Sequence, residues 1–487
     1  MSNRLLTNDT GQEILAAIKQ QNAIIAKGSA GLKMESYDDL LSLVREGLAP
    51  EVLSPGDVIE VGKATSLTAS LGVHEGVTAV SFISTTGQDT FISAMGEAGE
   101  KEYEIVYDGS AWKYENEPII LADYGLQVTG TAAAGDTIVV VETGTVIKMA
   151  VMDFIENGQT TIGNIKLHDS NKKFGMILQS LESLYDMQFD VPEAFFYNSG
   201  DSAMSAGTYN VTLGDSYDTS YGGGKTYQFT LTQALPVGGQ LVFDWPYQKT
   251  PLQGSGVKSY ASGSDATPIE TATVTEGDGG TSLGTMLIEV QAASALNSLH
   301  RIRYGSNRWK TSAMRQHLNS AGAGGSVWTP QTPWDRPPSW VSSTAGFKYR
   351  LDPEFVKICA DVELLTALST AAGDTSSASA TAGTGNEVTV DKFFLPSRPE
   401  VYGGGDNNSD KGNPWVYYSA NSDLGAAGGG ADTNRIKTNP AGTAKVWWLR
   451  SPGVGYGGYV RFVMSDGNVG VYYASYGGGV APACVVA

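Results

Sequence analysis

The chain has 487 residues, enough for roughly two to four domains. Hydrophobic residues at 41% and charged residues at 17% support packed cores and argue against wholesale disorder. The net charge of −19, from 51 acidic against 32 basic residues, opposes nucleic-acid binding and a polybasic membrane surface, since both need clustered positive charge.

No apolar run is long enough for a membrane-spanning helix, so no membrane insertion is expected. The opening residues, Met1 to Asn8, lack the apolar stretch of a secretory leader. Two cysteines, Cys359 and Cys484, do not make a disulfide framework, and the four histidines are scattered. No metal and no cofactor is therefore expected.

Ile14, Leu15, Ile18 and Ile25 form a weak apolar stripe, read either as a short surface helix or as an oligomerisation or docking helix. A second helix opens at Ser36. Ser36 and Asp39 match a capping box, Leu40, Leu41, Val44 and Leu48 make the apolar face, and Gly47 with Pro50 supplies the stop. From Val52 to Val151 the pattern changes to strands: Val58–Val61, Tyr103–Tyr107 and Thr137–Val141 are β-branched or aromatic runs. Asp108-Gly109, between Tyr107 and Trp112, marks a hairpin turn. Phe174 to Leu184 reads equally as helix or buried strand.

Tyr209–Leu213 and Tyr227–Thr232 read as strands, Val237–Phe243 as a turn and strand, Trp309 to Leu318 as helix, and Asp352-Pro353 as the start of a short helix. Ser369 to Gly385 is a Ser/Thr/Ala/Gly loop between Val362–Leu365 and Val388–Val390. A second glycine-rich stretch runs from Gly403 to Gly430. Trp334, Trp340, Trp415, Trp447 and Trp448 are read as framework aromatics. Asp335-Arg336 and Asp352 are read as caps or surface pairs and not as a catalytic pair.

The C-terminus is the informative end. Trp447-Trp448-Leu449-Arg450-Ser451-Pro452 precedes Gly453-Val454-Gly455-Tyr456-Gly457-Gly458-Tyr459. A strand, Val460–Met464, and a turn, Ser465–Asn468, lead to Val469-Gly470-Val471-Tyr472-Tyr473-Ala474-Ser475-Tyr476 and three glycines. Val480 to Val486 reads as a buried terminal strand. Tyrosine with glycine and serine is the composition of a paratope: large amphipathic contact area at low rotamer entropy, on an adaptable backbone.

The Trp-Trp-Leu-Arg-Ser-Pro block, Asp466-Gly467 and the ending Gly479-Val480-Ala481-Pro482-Ala483-Cys484 resemble the variable region of target proteins of diversity-generating retroelements. Asp391 to Ser397, Trp309 to Leu318 and Gln188 to Ala194 are similar to the same family in gut phages. The resemblance covers about residues 165–487 and implies an α+β chain with a C-terminal C-type lectin fold. Its expected domains are an N-terminal helical segment (1–50), a small mostly-β domain (51–165) and the lectin-fold domain (166–487), with a variable region at 447–486.

In that family, adenines copied from a template are randomised, and the resemblance implies variable, ligand-binding positions at Gly453, Val454, Gly455, Tyr456, Gly457, Gly458, Tyr459, Arg461, Phe462, Gly470, Val471, Tyr472, Tyr473, Ser475, Tyr476 and Gly478. Leu449, Arg450, Ser451, Pro452, Asp466, Gly467 and Pro482 would be scaffold. The expectation is a receptor-binding protein on the tail or head of a phage virion and not an enzyme. It would bind a bacterial surface protein or glycan, join a virion protein through its N-terminal region and form a homotrimer. The competing readings are a bacterial surface adhesin and a ligand-free decoration protein. Calcium-lectin motifs such as Glu-Pro-Asn do not occur.

Overall fold

The computed structural model describes residues 36–487, apart from 85, 97, 161–163, 214–223, 246–254, 263–264, 266, 287–288, 291–298, 303, 331–334, 369–385, 405–412, 420–432 and 454–456. The Ile14 stripe, Trp334, the Ser369–Gly385 loop, most of the Gly403–Gly430 stretch, and Val454, Gly455 and Tyr456 lie outside the described residues.

The architecture is largely β, with 43% strand and 16% helix, spread over many small sheets. This overturns the expected α+β class with a C-type lectin fold. The physical reason is visible in the helices. The longest described ones, Tyr37–Arg45 and Gly87–Met95, have nine residues each, and the Trp309–Leu318 stretch yields one 3-10 turn and a seven-residue helix. Helices this short gain little from propensity and survive only by packing, whereas the Val/Thr/Tyr runs pair as strands.

Among the described residues the buried side chains gather in three cores. The largest joins residues 40–53, 147–189 and 309–487. A second, built on Phe196, Phe229, Leu241, Phe243 and Trp245, belongs to a sandwich of a six-stranded and a four-stranded sheet within residues 193–302. A third, around Phe91, Tyr103, Ile105, Ile138 and Val140, is the small β unit.

Two strands tie the first and third together: Val58–Leu71, with Val61 in the large core and Ala64 and Leu67 in the small one, and Thr137–Ile155. Thr137–Ile155 has 19 residues, and its alternating burial places Ile138 and Val140 in the small core and Ile147, Met149 and Val151 in the large one. It pairs antiparallel with Val58–Leu71, from Val58↔Ala150 to Leu71↔Ile138, with a bulge between Ala64 and Ser66. On its other flank it pairs with Lys101–Tyr107 and then with Gly175–Ser180. Gly175–Ser180 is buried at every position and pairs with the terminal strand Ala483–Val486. Within the ambiguous Phe174–Leu184 segment, Gly175–Ser180 is thus a strand, and its lack of alternation comes from burial on both faces.

Local signals are kept. The Ser36 hydroxyl accepts from the Asp39 amide at 3.2 Å and donates to its carboxylate at 2.9 Å. Its helix sends Leu40 and Val44 into the large core. Lys101–Tyr107 and Trp112–Tyr114 form the expected hairpin, and Asp352 caps its helix by accepting from Glu354 and Phe355. Cys359 and Cys484 meet inside the large core. Burial, and then a thiol–thiol hydrogen bond to Cys359, push the Cys484 thiol well above its ordinary range.

Candidate binding face

The C-terminal segment folds into a five-stranded sheet in the order Asp186–Gln188, Gly477–Gly479, Trp447–Pro452, Tyr459–Val463, Val469–Tyr473. Its base is rigid. Trp447 to Pro452 are all buried. Trp448 donates its indole N–H to the Met187 carbonyl at 2.9 Å, and Trp447 donates to the Arg435 carbonyl at 2.9 Å. Arg450 and Glu400 form an ion pair with no exposed surface, one contact being 2.6 Å. The Asn164 amide, the Ser397 backbone N–H, the Leu395 carbonyl and the Thr366 hydroxyl complete that network. A buried pair is tolerable only with its remaining donors and acceptors satisfied, as here.

On the outer hairpin, Tyr459 stands opposite Tyr473, Val460 opposite Tyr472, Arg461 opposite Val471 and Phe462 opposite Gly470. The pleat therefore sets Tyr459, Arg461, Val471 and Tyr473 on one face and Val460, Phe462 and Tyr472 on the other. Tyr473 is the hub of the rings. It stacks on Tyr304 at 3.8 Å and 25°, and lies 4.6 Å from Tyr459 and 5.7 Å from Tyr476. Tyr476 meets Tyr472 edge-on at 4.7 Å, and Tyr472 covers Phe462 at 5.9 Å. Phe462 in turn rests on Trp448 at 6.0 Å.

The loop that carries Tyr476 is pinned by backbone bonds. Phe189 and Asp190 both donate to the Ala474 carbonyl, Ala474 donates to Gly458, and Ser475 donates to Tyr304. The Gln188 side-chain amide donates to the Ser475 carbonyl at 2.7 Å. Asn307 donates to the Gly457 and Tyr459 carbonyls. Rings presented on so constrained a backbone lose little entropy when they are covered.

The expected variable positions divide. Tyr472 is 43% exposed and Tyr476 42%, Val471 is exposed, and Tyr459, Arg461, Gly470, Tyr473 and Ser475 are partly exposed. These come together on the hairpin and its adjoining loop. Gly453, Gly457, Gly458, Phe462 and Gly478 are instead buried. A Cβ on Gly478 would sit 2.6 Å from the Trp448 ring, on Gly470 2.8 Å from the Phe462 ring, and on Gly453 2.8 Å from the Tyr459 Cβ. Those glycines make room for neighbouring aromatic residues. Asp466 and Gly467 form the tight turn, with Gly467 at φ +86°, as a scaffold position requires.

Three features escaped the sequence reading. Tyr304, far upstream, belongs to the ring cluster. Asp335, read as part of a surface pair, converges with Asp190 and Glu193, one oxygen from each lying within 4.8 Å of the others. Burial and then the Asp335 charge raise the Asp190 carboxyl well above the carboxylate range, and burial and then the Asp190 and Asp335 charges raise that of Glu193. Among the described residues, this trio is the one cluster of acids, histidines or cysteines with spacing that would suit a hard cation. It lies directly behind Ala474, through the Asp190 backbone. The third feature is the Cys359–Cys484 contact.

A family described as a domain of unknown function, DUF6273, matches residues 283–487. The match takes in Tyr304 and the whole ring cluster, and stops short of most of the sandwich. No curated protein and no solved structure matches the chain.

Proposed function

We propose that this chain is a receptor-binding protein of a phage-type virion, working by recognition and not by catalysis. Its C-terminal tyrosine cluster contacts a protein or glycan on a bacterial surface. One observation carries the reading: five tyrosines, Tyr304, Tyr459, Tyr472, Tyr473 and Tyr476, interlock on a pinned hairpin, with Tyr472 and Tyr476 exposed. Exposed aromatics on a rigid support are the residues that concentrate binding energy.

The resemblance of residues 447–484 to retroelement-diversified variable regions supports a face whose exposed positions change while its base does not. The burial pattern agrees with that division at Tyr472, Tyr476 and Val471. It restricts the division at Gly453, Gly457, Gly458, Phe462 and Gly478, which belong to the base. Docking to the virion and trimer formation are assigned to the N-terminal region.

The test is adsorption to a susceptible bacterium. Tyr472→Ala with Tyr476→Ala should abolish adsorption, because truncating an interface anchor costs about 2 kcal/mol or more. The pair should lower stability by no more than about 1 kcal/mol, as expected for partly exposed side chains. Gly478→Ala should do the reverse, destabilising by roughly 1–3 kcal/mol through overpacking against Trp448. Full adsorption by the double tyrosine variant would move the binding site elsewhere. A template repeat and a reverse transcriptase gene in the neighbouring DNA would support diversification. Their absence would leave a fixed-specificity adhesin.

A further inference from the structure

A pocket of about 340 Å³ opens between the Ala313–Asn319 helix and the end of the Asn386–Asp391 strand, away from the tyrosine cluster. Its size is within the range of small-ligand sites, roughly 300–1,000 Å³. Three cations line it, Arg315, Lys348 and Lys392, against two carboxylates, Asp361 and Asp391. That balance runs against a chain whose net charge is −19.

Most of these charges are already engaged. The Arg315 guanidinium meets Asp391 at 2.7 Å and also donates to the Val390 and Lys310 carbonyls. Asp391 additionally accepts from the Trp309 indole at 3.1 Å and the Thr389 hydroxyl at 2.7 Å. The Lys392 ammonium donates to the Cys359 carbonyl and, at 3.5 Å, to that of Val356.

Lys348 differs. Its backbone N–H is bonded to the Ser320 carbonyl, but its ammonium has no hydrogen bond or ion pair among the described residues. Burial and the Lys392 charge both lower its pKa, with Asp361 opposing. Gln316 lines the same pocket. Its side-chain oxygen accepts from Thr329 at 2.8 Å, while its buried amide nitrogen has no partner among the described residues. The pocket thus presents one half-buried ammonium without an acceptor among the described residues.

We infer that this pocket binds a small oxyanion, a carboxylate or phosphate group, held by the Lys348 ammonium. An oxyanion supplies the acceptor that the ammonium lacks, and a charge-assisted bond to a partly desolvated ammonium is stronger than one in open water. Asp361, exposed at the rim, works against the ligand. The site is independent of the tyrosine face.

The experiment is an NMR titration of the intact chain, carbon-labelled at valine methyls, since Val327 and Val390 line the pocket. Sodium phosphate and sodium glucuronate are the probes, each at constant ionic strength. Saturable shifts of the Val327 and Val390 methyls are expected with at least one probe. A response to phosphate alone assigns a tetrahedral ligand and one to glucuronate alone a carboxylate, and each supports the oxyanion site. Lys348→Met should weaken binding by about tenfold or more, the value of one charged hydrogen bond. Lys348→Arg, which keeps the charge, should retain binding. Asp361→Asn should tighten it. General damage to the fold would not move Lys348→Met and Asp361→Asn in opposite directions. Absence of saturable shifts with both probes, or unchanged affinity in Lys348→Met, overturns the inference.

Discussion

Lys437 places a cation where water cannot reach. Its ammonium nitrogen lies 2.5 Å from the Ser180 carbonyl oxygen and 5.2 Å from the Trp447 ring centroid, with 1% of the residue exposed. Burial lowers its pKa to about 7. In the unfolded chain the same group stays protonated up to about pH 10.4. Between those values the unfolded state binds more protons, so stability rises with pH across the window and is lost as pH falls toward about 7. The urea midpoint should therefore increase between about pH 7 and about pH 9.5, and Lys437→Met should flatten that increase. An unchanged pH slope in the variant would mean that Lys437 keeps its charge when folded. The residue lies beside Trp447 at the base of the binding sheet, so the same measurement reports how firmly that base is held.

At the scale of elements, the Trp447–Pro452 strand depends on its link to the Arg398–Tyr402 helix through the Arg450–Glu400 pair. Glu400→Gln leaves a buried guanidinium without its counter-charge and should destabilise by roughly 3–5 kcal/mol, measured by denaturant unfolding. Replacing both partners, Arg450→Met with Glu400→Leu, should restore much of that loss, because the desolvation cost then disappears with the charges. Failure of the double replacement to recover stability would assign the pair's importance to the Asn164, Ser397 and Thr366 contacts instead. Elements of this kind were only partly legible in the sequence. The Ser36 and Asp352 caps, the Tyr107–Trp112 hairpin and the strand–turn–strand of the C-terminus depend on neighbours a few residues away, and were readable. Gly175–Ser180 was ambiguous because a strand buried on both faces shows no alternation. Buried glycines such as Gly478 could not be told from exposed ones, since the reason for them is the Trp448 ring on another strand. The Tyr304–Tyr473 stack, the Asp190–Glu193–Asp335 trio and the Cys359–Cys484 contact join segments far apart in the chain, and no local pattern encodes them. The expectation of a lectin fold failed for a related reason. It rested on short matching blocks, whereas the fold class follows from how all the strands between them pair.

At the scale of the whole molecule, the three cores are joined unequally. The small β unit shares the Thr137–Ile155 strand with the large core and is clamped by the 347–352 segment. Arg350, at φ +54°, pairs with Asp89 at 2.7 Å, Lys63 donates to the Phe347 carbonyl, and the Asp352 backbone donates to Gly62. Unfolding that unit must break a continuous strand. The sandwich is tied differently. Among the described residues its strands at residues 193–302 pair only with one another, and its core residues are separate from those of the other two. Its last strand, Leu299–Ile302, runs into Tyr304, but Tyr304 is held from the other side by the Ser475 N–H and the Tyr473 ring. Phe243 is fully buried in the sandwich core against Phe229 and Trp245. Phe243→Ala should therefore destabilise that core by roughly 3–5 kcal/mol. Hydrogen exchange should accelerate within residues 193–302 and stay unchanged in Trp447–Pro452 and Thr137–Ile155, because cooperative units open separately where few contacts cross. Adsorption to the bacterium should persist, since the described core beneath the hairpin shares no residue with that of the sandwich. Accelerated exchange at Trp447–Pro452 in the same variant would mean that the sandwich and the binding sheet fold as one unit. Loss of adsorption with unchanged exchange there would place part of the contact surface on the sandwich itself.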